Sequence, residues 1–181
     1  MDDLYREVVM DHFRSPRGKA EVDNPNLVNV GVNPLCGDEI KVAVKFDGDR
    51  VVGVQALSHG CSISVASASM MAELLAGRTR EEAGKLIEAF RAMMRGESQP
   101  EGLELGDLEA LQGVRKYPVR VKCALLPWMT LKDALTAEPA SSASPTSLAG
   151  ETGEVSPKRG GSGIPPEPTS TEKEPGKEEI K

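Results

Sequence analysis

Aromatic residues are scarce in this chain, and all of them lie in its first 128 residues. The 181 residues include only three Phe, two Tyr and one Trp, and Trp128 is the last of these. Residues 138–181 contain no aromatic residue and seven of the thirteen prolines. A segment of that composition cannot bury enough apolar surface to offset the entropy lost on ordering. We therefore expect a globular domain over residues 1–137 and a disordered tail, rich in Pro, Glu and Ser, over residues 138–181.

An excess of positive charge is also absent. The chain has 22 Lys and Arg against 28 Asp and Glu, which gives a net charge of −6. Without a basic patch we expect no nucleic-acid partner. No stretch approaches the roughly 18 consecutive apolar residues of a membrane span, and the acidic start Met1-Asp2-Asp3 does not resemble a signal peptide. The expectation is a cytoplasmic protein that binds neither membrane nor nucleic acid.

Cysteine is limited to three residues, Cys36, Cys61 and Cys123. An odd number, with no C-x-x-C pair and no export signal, argues against a disulfide framework. The three residues must then be free thiols or metal ligands. Cys61 directly precedes a predicted helix, where the helix dipole and the free main-chain amides favour a thiolate.

A carboxylate lies close to the first of these cysteines. Asp38 follows Cys36 by two residues, and Gly37 between them leaves the backbone free to turn both side chains toward one point. Three thiolates and one carboxylate suit a tetrahedral Zn²⁺ ion, and sulfur-rich coordination also suits iron–sulfur chemistry. Three inert thiols in the core remain the alternative, because spacing alone does not exclude it.

Hydrophobic periodicity gives the order of the structural elements. It predicts helices over 4–14, 62–76, 79–95, 107–113 and from Pro118 onward, a strand-like stretch from Asn24 to Asn33, and a β-hairpin with strands 40–46 and 52–56. Thr79 and Glu82 have the capping-box pattern, Asp107 is expected to cap the short helix, and Pro127 should kink or shorten the last one. Because strands and helices segregate, we predict an α+β fold with a small antiparallel sheet packed against several helices.

Four motifs in the same order resemble those of the IscU/NifU-type iron–sulfur cluster assembly proteins. They are LYREVVMDHF at 4–13, NPLCGD at 33–38, GCSISVASASMM at 60–71 and PVRVKCA at 118–124. The resemblance extends over about residues 4–135. It is to the SufU branch of the family, because Lys122 stands where IscU-type chains carry a His, and residues 96–113 resemble the insertion of SufU-type chains.

The resemblance implies an IscU/SufU-like fold and a zinc-dependent sulfurtransferase activity. By resemblance, Cys36, Asp38, Cys61 and Cys123 hold Zn²⁺, and Cys36 accepts sulfur from the persulfide of a SufS-type cysteine desulfurase. The desulfurase is expected to supply a substitute zinc ligand, a His, so that Cys36 is freed to attack. Sulfur then passes to a downstream cluster scaffold.

Two alternatives use the same residues. The chain could itself be an assembly scaffold that binds iron or a transient iron–sulfur cluster through its cysteines, or it could be a purely structural zinc domain. Three further polar residues are secondary candidates. His59 could reach the metal from the end of a strand, Arg120 could stabilise the anionic site from the face of the last helix, and His12 is expected to be a packed or capping histidine.

Overall fold

The computed structural model describes residues 2–98 and 102–137. Its elements are α1 (Asp2–Arg14), β1 (Leu27–Asn33), β2 (Asp38–Asp47), β3 (Arg50–His59), α2 (Ser62–Leu75), α3 (Arg80–Arg95), a 3₁₀ helix (Gly106–Lys116) and α4 (Pro118–Thr136). The strands form one antiparallel sheet in the order β1-β2-β3. The predicted α+β fold is thus confirmed, whereas the predicted tail over residues 138–181 lies outside the described residues.

The sheet has one face buried under the helices and one largely open face, on which the paired Ala43 and Gln55 are nevertheless buried. On β2, Ile40, Val42 and Val44 are buried under the helices, while Glu39 and Lys41 on the other face are exposed. On the edge strand β1 the open face is apolar and carries three exposed valines, Val28, Val30 and Val32. The helices α2 and α4 pack on the buried face, and the hydrophobic core lies between them and the sheet.

Helix α2 is rich in alanine and serine, which lets it pack closely against its neighbours. Ser67 is fully buried, and its hydroxyl donates a 2.6 Å hydrogen bond to the Ala124 carbonyl on α4. The same hydroxyl accepts a bond from the Trp128 indole N–H at 3.2 Å. Trp128 in turn contacts Phe90 of α3, with ring centroids 5.2 Å apart. One small polar side chain therefore fixes the large aromatic pair at the centre of the core without leaving a polar group unpaired.

The predicted helix boundaries hold except near the 3₁₀ helix. Thr79 and Glu82 form the predicted capping box at the start of α3, with both reciprocal hydrogen bonds present. The prediction that Asp107 caps the following short helix is wrong. That segment is a 3₁₀ helix whose N-cap is Leu105, because the Asp107 carboxylate is engaged with His12 at 3.0 Å instead.

Of the two effects predicted for Pro127, shortening of the last helix is wrong, whereas a kink stays a prediction. Helix α4 continues through Pro127 to Thr136, and Trp128, Leu131 and Ala134 beyond the proline are all buried. Packing of this second half on the core outweighs the one main-chain hydrogen bond that a proline removes. Although α4 is the longest described helix, no helix in the described part of the chain is long and apolar enough to cross a membrane.

Helix α4 and strand β1 lie in close contact at Gly31. A Cβ at Gly31 would overlap the Thr130 hydroxyl oxygen and would lie 3.2 Å from Thr130 Cβ and 3.3 Å from Leu126 Cδ1. The neighbouring Asn29 fastens the same contact, since its side-chain amide donates to the Thr130 carbonyl at 3.0 Å. A residue larger than glycine at position 31 would therefore push α4 away from the sheet.

The Gly31→Ala substitution should destabilise the fold by about 1–3 kcal/mol, the usual cost of overpacking a close contact. The control is Gly84→Ala in α3, where an added Cβ meets nothing within 4 Å. That change should stabilise the protein by about 0.5–1 kcal/mol, because alanine has the higher helix propensity. Urea unfolding followed by circular dichroism measures both, and equal effects of the two substitutions would contradict the close approach of α4 and β1.

Candidate metal centre

The turn between β1 and β2 positions the first two predicted ligands. Asn33 ends β1 and pairs in register with Asp38, which begins β2. The Asn33 carbonyl accepts hydrogen bonds from the main-chain N–H groups of Cys36, at 3.2 Å, and Gly37, at 2.9 Å. Gly37 adopts a φ of +68°, a left-handed conformation that glycine takes at no steric cost. The turn therefore presents Cys36 at its tip and returns the chain so that Asp38 faces inward.

Asp38 is fully buried and faces the start of α2. Its Oδ1 accepts the Cys61 main-chain N–H at 2.8 Å, and its Oδ2 lies 3.5 Å from Cys61 Sγ. Cys61 is the N-cap residue of α2 and has extended backbone angles. The carboxylate thus occupies the positive end of the helix dipole, where a negative charge is stabilised. This bond brings the second cysteine to the same place as the first.

Helix α4 supplies the third cysteine. Cys123 lies in the second turn of α4 and is fully buried. Its Sγ is 3.2 Å from Cys36 Sγ and also lies 3.5 Å from the side-chain amide nitrogen of Asn33. Residues separated by 87 positions along the chain therefore meet sulfur to sulfur.

The structure brings three of the four predicted ligands into one compact group and leaves the fourth beside it. Ligand atoms of Cys36, Asp38 and Cys123 all lie within 4.8 Å of one another. Cys61 falls outside that group but remains 3.5 Å from Asp38 Oδ2. Two sulfurs and a buried carboxylate oxygen, with a third sulfur adjacent, are a donor set of the kind that Zn²⁺ binds.

Gly60 shapes the pocket around the carboxylate. A Cβ at this position would lie 2.7 Å from Asp38 Cγ and 2.9 Å from Asp38 Cα, and would overlap Oδ1. Only a residue without a side chain lets Asp38 lie against the backbone that leads into α2. Gly60 therefore belongs to the site, although its role was not evident from the sequence, where it appeared only as a motif neighbour of Cys61.

The surroundings of Cys123 act strongly on its thiol. Burial raises the pKa of Cys123 well above the usual range, and its hydrogen bonds with Asp38 and Cys36, together with the nearby Cys61, act in the same direction. A group that is removed from water and faces other anions is easier to keep protonated than ionised. In the protein without metal, this sulfur therefore remains a thiol at neutral pH.

The secondary candidates lie away from this group. His59, the last residue of β3, is exposed and belongs to neither cluster of metal-ligating side chains found in the described residues. Arg120 is exposed, and within residues 2–98 and 102–137 its side chain makes no hydrogen bond or ion pair. His12 is buried, in agreement with its interpretation as a packed histidine.

His12 is the centre of a second polar cluster that the sequence did not reveal. Its Nδ1 lies 2.8 Å from the Ser69 hydroxyl and its Nε2 lies 3.0 Å from Asp107 Oδ2, with Glu73 Oε2 at 4.0 Å. Arg17 also belongs to the cluster. Its main-chain N–H donates to the Ser69 hydroxyl, and its side-chain Nε lies 3.7 Å from Glu73 Oε2. Both imidazole nitrogens are thus partnered, and the cluster ties α1 to α2 and to the 3₁₀ helix. No local spacing pattern could have indicated this contact, which joins residues 57 and 95 positions apart.

Comparison with known proteins bears on the same residues. Residues 4–124 match the model of the NifU-like N-terminal domain. The chain is 44% identical over 138 residues to the zinc-dependent sulfurtransferase SufU of Bacillus subtilis (strain 168), an alignment that covers 76% of this chain and 93% of that protein. It is 41% identical over 135 residues to the iron–sulfur cluster assembly scaffold protein IscU of Streptococcus pyogenes serotype M1, with 75% and 84% covered.

A solved structure shares the fold. It is the crystal structure of a protein from Fervidobacterium islandicum AW-1 described as an iron–sulfur cluster assembly scaffold of the SUF system (FiSufU), to which the chain is 40% identical. The TM-score is 0.67, and the match covers 71% of this chain and 94% of the other. These values confirm the IscU/SufU-like architecture predicted from the four motifs.

The raised pKa of Cys123 makes the stability of the metal-free protein depend on pH. Because the folded state holds the thiol proton more tightly than the unfolded chain, this contribution is full below about pH 8.5, the pKa of an unperturbed thiol, and is lost as the pH rises above it. The loss is at most about 1.4 kcal/mol per pH unit. We expect urea unfolding, with chelator and reductant present, to show this decline between about pH 8 and 10. The Cys123→Ala variant should show a shallower decline, and parallel profiles for the two proteins would contradict the assignment.

Proposed function

The chain belongs to the NifU-like N-terminal domain family, and on that premise we propose that it is a zinc-dependent sulfur acceptor that serves iron–sulfur cluster assembly. The role in iron–sulfur cluster assembly follows from its relatives, one of which is named a zinc-dependent sulfurtransferase and another an assembly scaffold. The finer assignment, to sulfur relay, is our proposal.

The observation that carries the proposal is the convergence of three cysteines and one buried aspartate from three separate segments: the turn between β1 and β2, the start of α2, and α4. Zn²⁺ would be held by the sulfurs of Cys36, Cys61 and Cys123 and by a carboxylate oxygen of Asp38. When bound, Zn²⁺ would lower the pKa of its thiol ligands, so that Cys36 is ionised at neutral pH. The proposed acceptance of sulfur by Cys36 requires neither iron chemistry nor oxygen chemistry.

Cys36 is the residue best placed to react. It lies at the tip of the turn between β1 and β2 and is only partly buried, whereas Cys123 is fully buried. The preceding residue, Leu35, is 64% exposed, which leaves the tip of the turn open to an approaching protein. A thiolate nucleophile needs this access as well as its charge.

The proposed partner is a SufS-type cysteine desulfurase that carries a persulfide. The Cys36 thiolate attacks the outer sulfur of that persulfide, a new S–S bond forms, and the S–S bond to the desulfurase cysteine breaks. The desulfurase cysteine leaves as a thiolate, and Cys36 becomes the persulfide, so that no external oxidant or reductant is consumed. The sulfur then passes to a downstream cluster scaffold.

The second candidate function is the scaffold itself, favoured by the 41% identity to the Streptococcus pyogenes IscU. Lys122 argues against a scaffold function for this chain. The residue directly before Cys123 is an exposed lysine, and a lysine ammonium has no lone pair to offer to iron. This chain therefore lacks, at that position, the histidine expected of an IscU-type scaffold, and Asp38 is the remaining non-sulfur ligand.

The Cys36→Ser substitution tests the relay. With a purified SufS-type desulfurase and cysteine, the unaltered protein should stimulate sulfide production and acquire one extra sulfur atom on Cys36, detected by peptide mass spectrometry. The variant should lose both effects, because a serine hydroxyl is not ionised at neutral pH and cannot form a persulfide. Metal analysis of the purified protein is the companion measurement, with about one zinc per chain expected for a single tetrahedral site.

Two outcomes would overturn the relay. Full stimulation by Cys36→Ser would remove Cys36 as the acceptor. A coloured protein that contains iron and gives no stimulation would favour the scaffold instead.

The Gly60→Ala substitution tests Asp38 as a ligand without altering it. Because the added methyl group would displace the carboxylate, zinc affinity should fall by roughly 10–100-fold, as when a group that orients a ligand is lost. Competition with a chromogenic chelator measures the affinity. The control is Gly113→Ala, where an added Cβ meets nothing within 4 Å and binding should not change. An unaltered affinity in Gly60→Ala would show that Asp38 is not a ligand.

A further inference from the structure

Asn33 is a buried polar residue whose side chain and carbonyl bond to Cys123 and to the turn that carries Cys36. Only 6% of its surface is exposed. Its side-chain nitrogen donates to Cys123 Sγ at 3.5 Å, and its side-chain oxygen accepts the Leu35 main-chain N–H at 3.3 Å. Its carbonyl oxygen accepts the N–H groups of Cys36 and Gly37. A single side chain and its own carbonyl therefore hold both the turn that carries one sulfur and the second sulfur itself.

The three sulfurs differ in what donates a hydrogen bond to them. The contacts of Cys36 with Cys123 and of Cys61 with Asp38 depend on thiol protons, which are absent once the sulfurs are thiolates. The contact from Asn33 to Cys123 depends on an amide N–H and persists. In the part of the chain that the structure describes, Cys123 is thus the one thiolate that keeps a side-chain or main-chain N–H donor.

A hydrogen bond to a thiolate withdraws negative charge from the sulfur. It makes the sulfur a poorer nucleophile and fixes its orientation, as hydrogen bonds to metal-bound sulfur do in general. The unassisted sulfur of Cys36, at the more exposed position, keeps its full nucleophilicity. The two sulfurs lie only 3.2 Å apart, so a partner that approaches one of them is also near the other. The difference in hydrogen bonding adds a chemical distinction between Cys36 and Cys123.

We propose that Asn33 is a positioning residue that makes the sulfur cluster asymmetric, holding Cys123 as the unreactive sulfur and leaving Cys36 as the nucleophile. The proposal rests on the sulfur-acceptor function proposed above and names the residue that selects the acceptor. Asn33 itself does not touch the transferred sulfur. It acts through Cys123 and through the turn that carries Cys36.

The test compares alkylation rates of the individual cysteines in the zinc-loaded full chain, with iodoacetamide as the probe and peptide mass spectrometry as the readout. Asn33→Ala removes the donor to Cys123. Asn33→Leu also removes it and keeps a branched side chain of similar volume. In both variants the rate at Cys123 should rise by roughly ten-fold relative to the rate at Cys36, the lower end of effects seen on losing a group that orients a metal ligand.

The matched control is Asn29→Ala. Asn29 lies on the same strand, and its side-chain nitrogen donates to a carbonyl of α4, that of Thr130, rather than to a sulfur. This variant should keep the ratio of the unaltered protein. Should Asn33→Ala fail to fold, Asn33→Leu carries the comparison, because its side chain fills nearly the same volume.

A spectroscopic readout separates positioning from mere packing. With Co²⁺ alone as the bound metal, loss of the N–H donor raises the energy of the sulfur lone pair, so the sulfur-to-cobalt charge-transfer band should move to longer wavelength in both Asn33 variants. It should not move in Asn29→Ala. An unchanged ratio of Cys123 to Cys36 alkylation, or an equal rise at all three cysteines, would overturn the proposal.

The two proposals fail separately. The alkylation and cobalt measurements contain no desulfurase, so an unchanged ratio removes the role of Asn33 and leaves the relay in place. Conversely, persistent stimulation by Cys36→Ser removes the relay, while a changed ratio in the Asn33 variants still establishes the asymmetry of the sulfurs.

Discussion

The hydrogen bond from the Cys61 main-chain N–H to the buried carboxylate of Asp38 is the contact on which the rest of the site depends. A carboxylate removed from water is costly unless charges or donors compensate for it. Here the start of α2 provides compensation, and Gly60 leaves the space for it. The bond fixes the end of the sheet at β2 to the first turn of α2, and through α2 it fixes the distance to α4. Burial of one charge thereby sets the relative positions of all three cysteines.

The core is built so that this arrangement can be compact. Alanine and serine on α2 let α4 approach closely enough for Cys123 to reach the turn after β1, and the Ser67 hydroxyl keeps the contact satisfied by bonding to both Ala124 and Trp128. Gly31 allows the matching approach of α4 to the sheet. Larger residues at these places would fill volume equally well but would separate the sulfurs. Small residues in this fold are therefore part of the chemistry and not only of the packing.

Much of the fold could be predicted from the sequence, because each element carries a local signal. Alternation gave the hairpin, and the Thr79–Glu82 pair gave the start of α3. The local signals failed where a distant contact decided the outcome. Asp107 turned to His12 instead of capping a helix, and core packing carried α4 through Pro127. Likewise, spacing left the three cysteines undecided between core thiols and ligands, and only the resemblance of whole motifs favoured a site. Asn33 and Gly60 act across 90 and 22 positions, which no local pattern encodes.

A site that must both hold a metal ion and release a sulfur needs ligands that differ in conformational freedom. The backbone around the three cysteines provides this difference. Cys123 is inside a helix, where each residue is constrained by hydrogen bonds before and after it. Cys61 caps a helix and is half constrained. Cys36 is at the tip of a four-residue turn that Asn33 holds through its carbonyl and its side-chain oxygen, and the left-handed Gly37 beside it gives that turn conformational freedom. The sulfur on the most adaptable backbone is only partly buried and lacks an N–H donor, whereas Cys123 is buried and has one. Backbone freedom, exposure and hydrogen bonding thus all distinguish Cys36 from Cys123, which is the condition for one of them to react while the other keeps the site assembled.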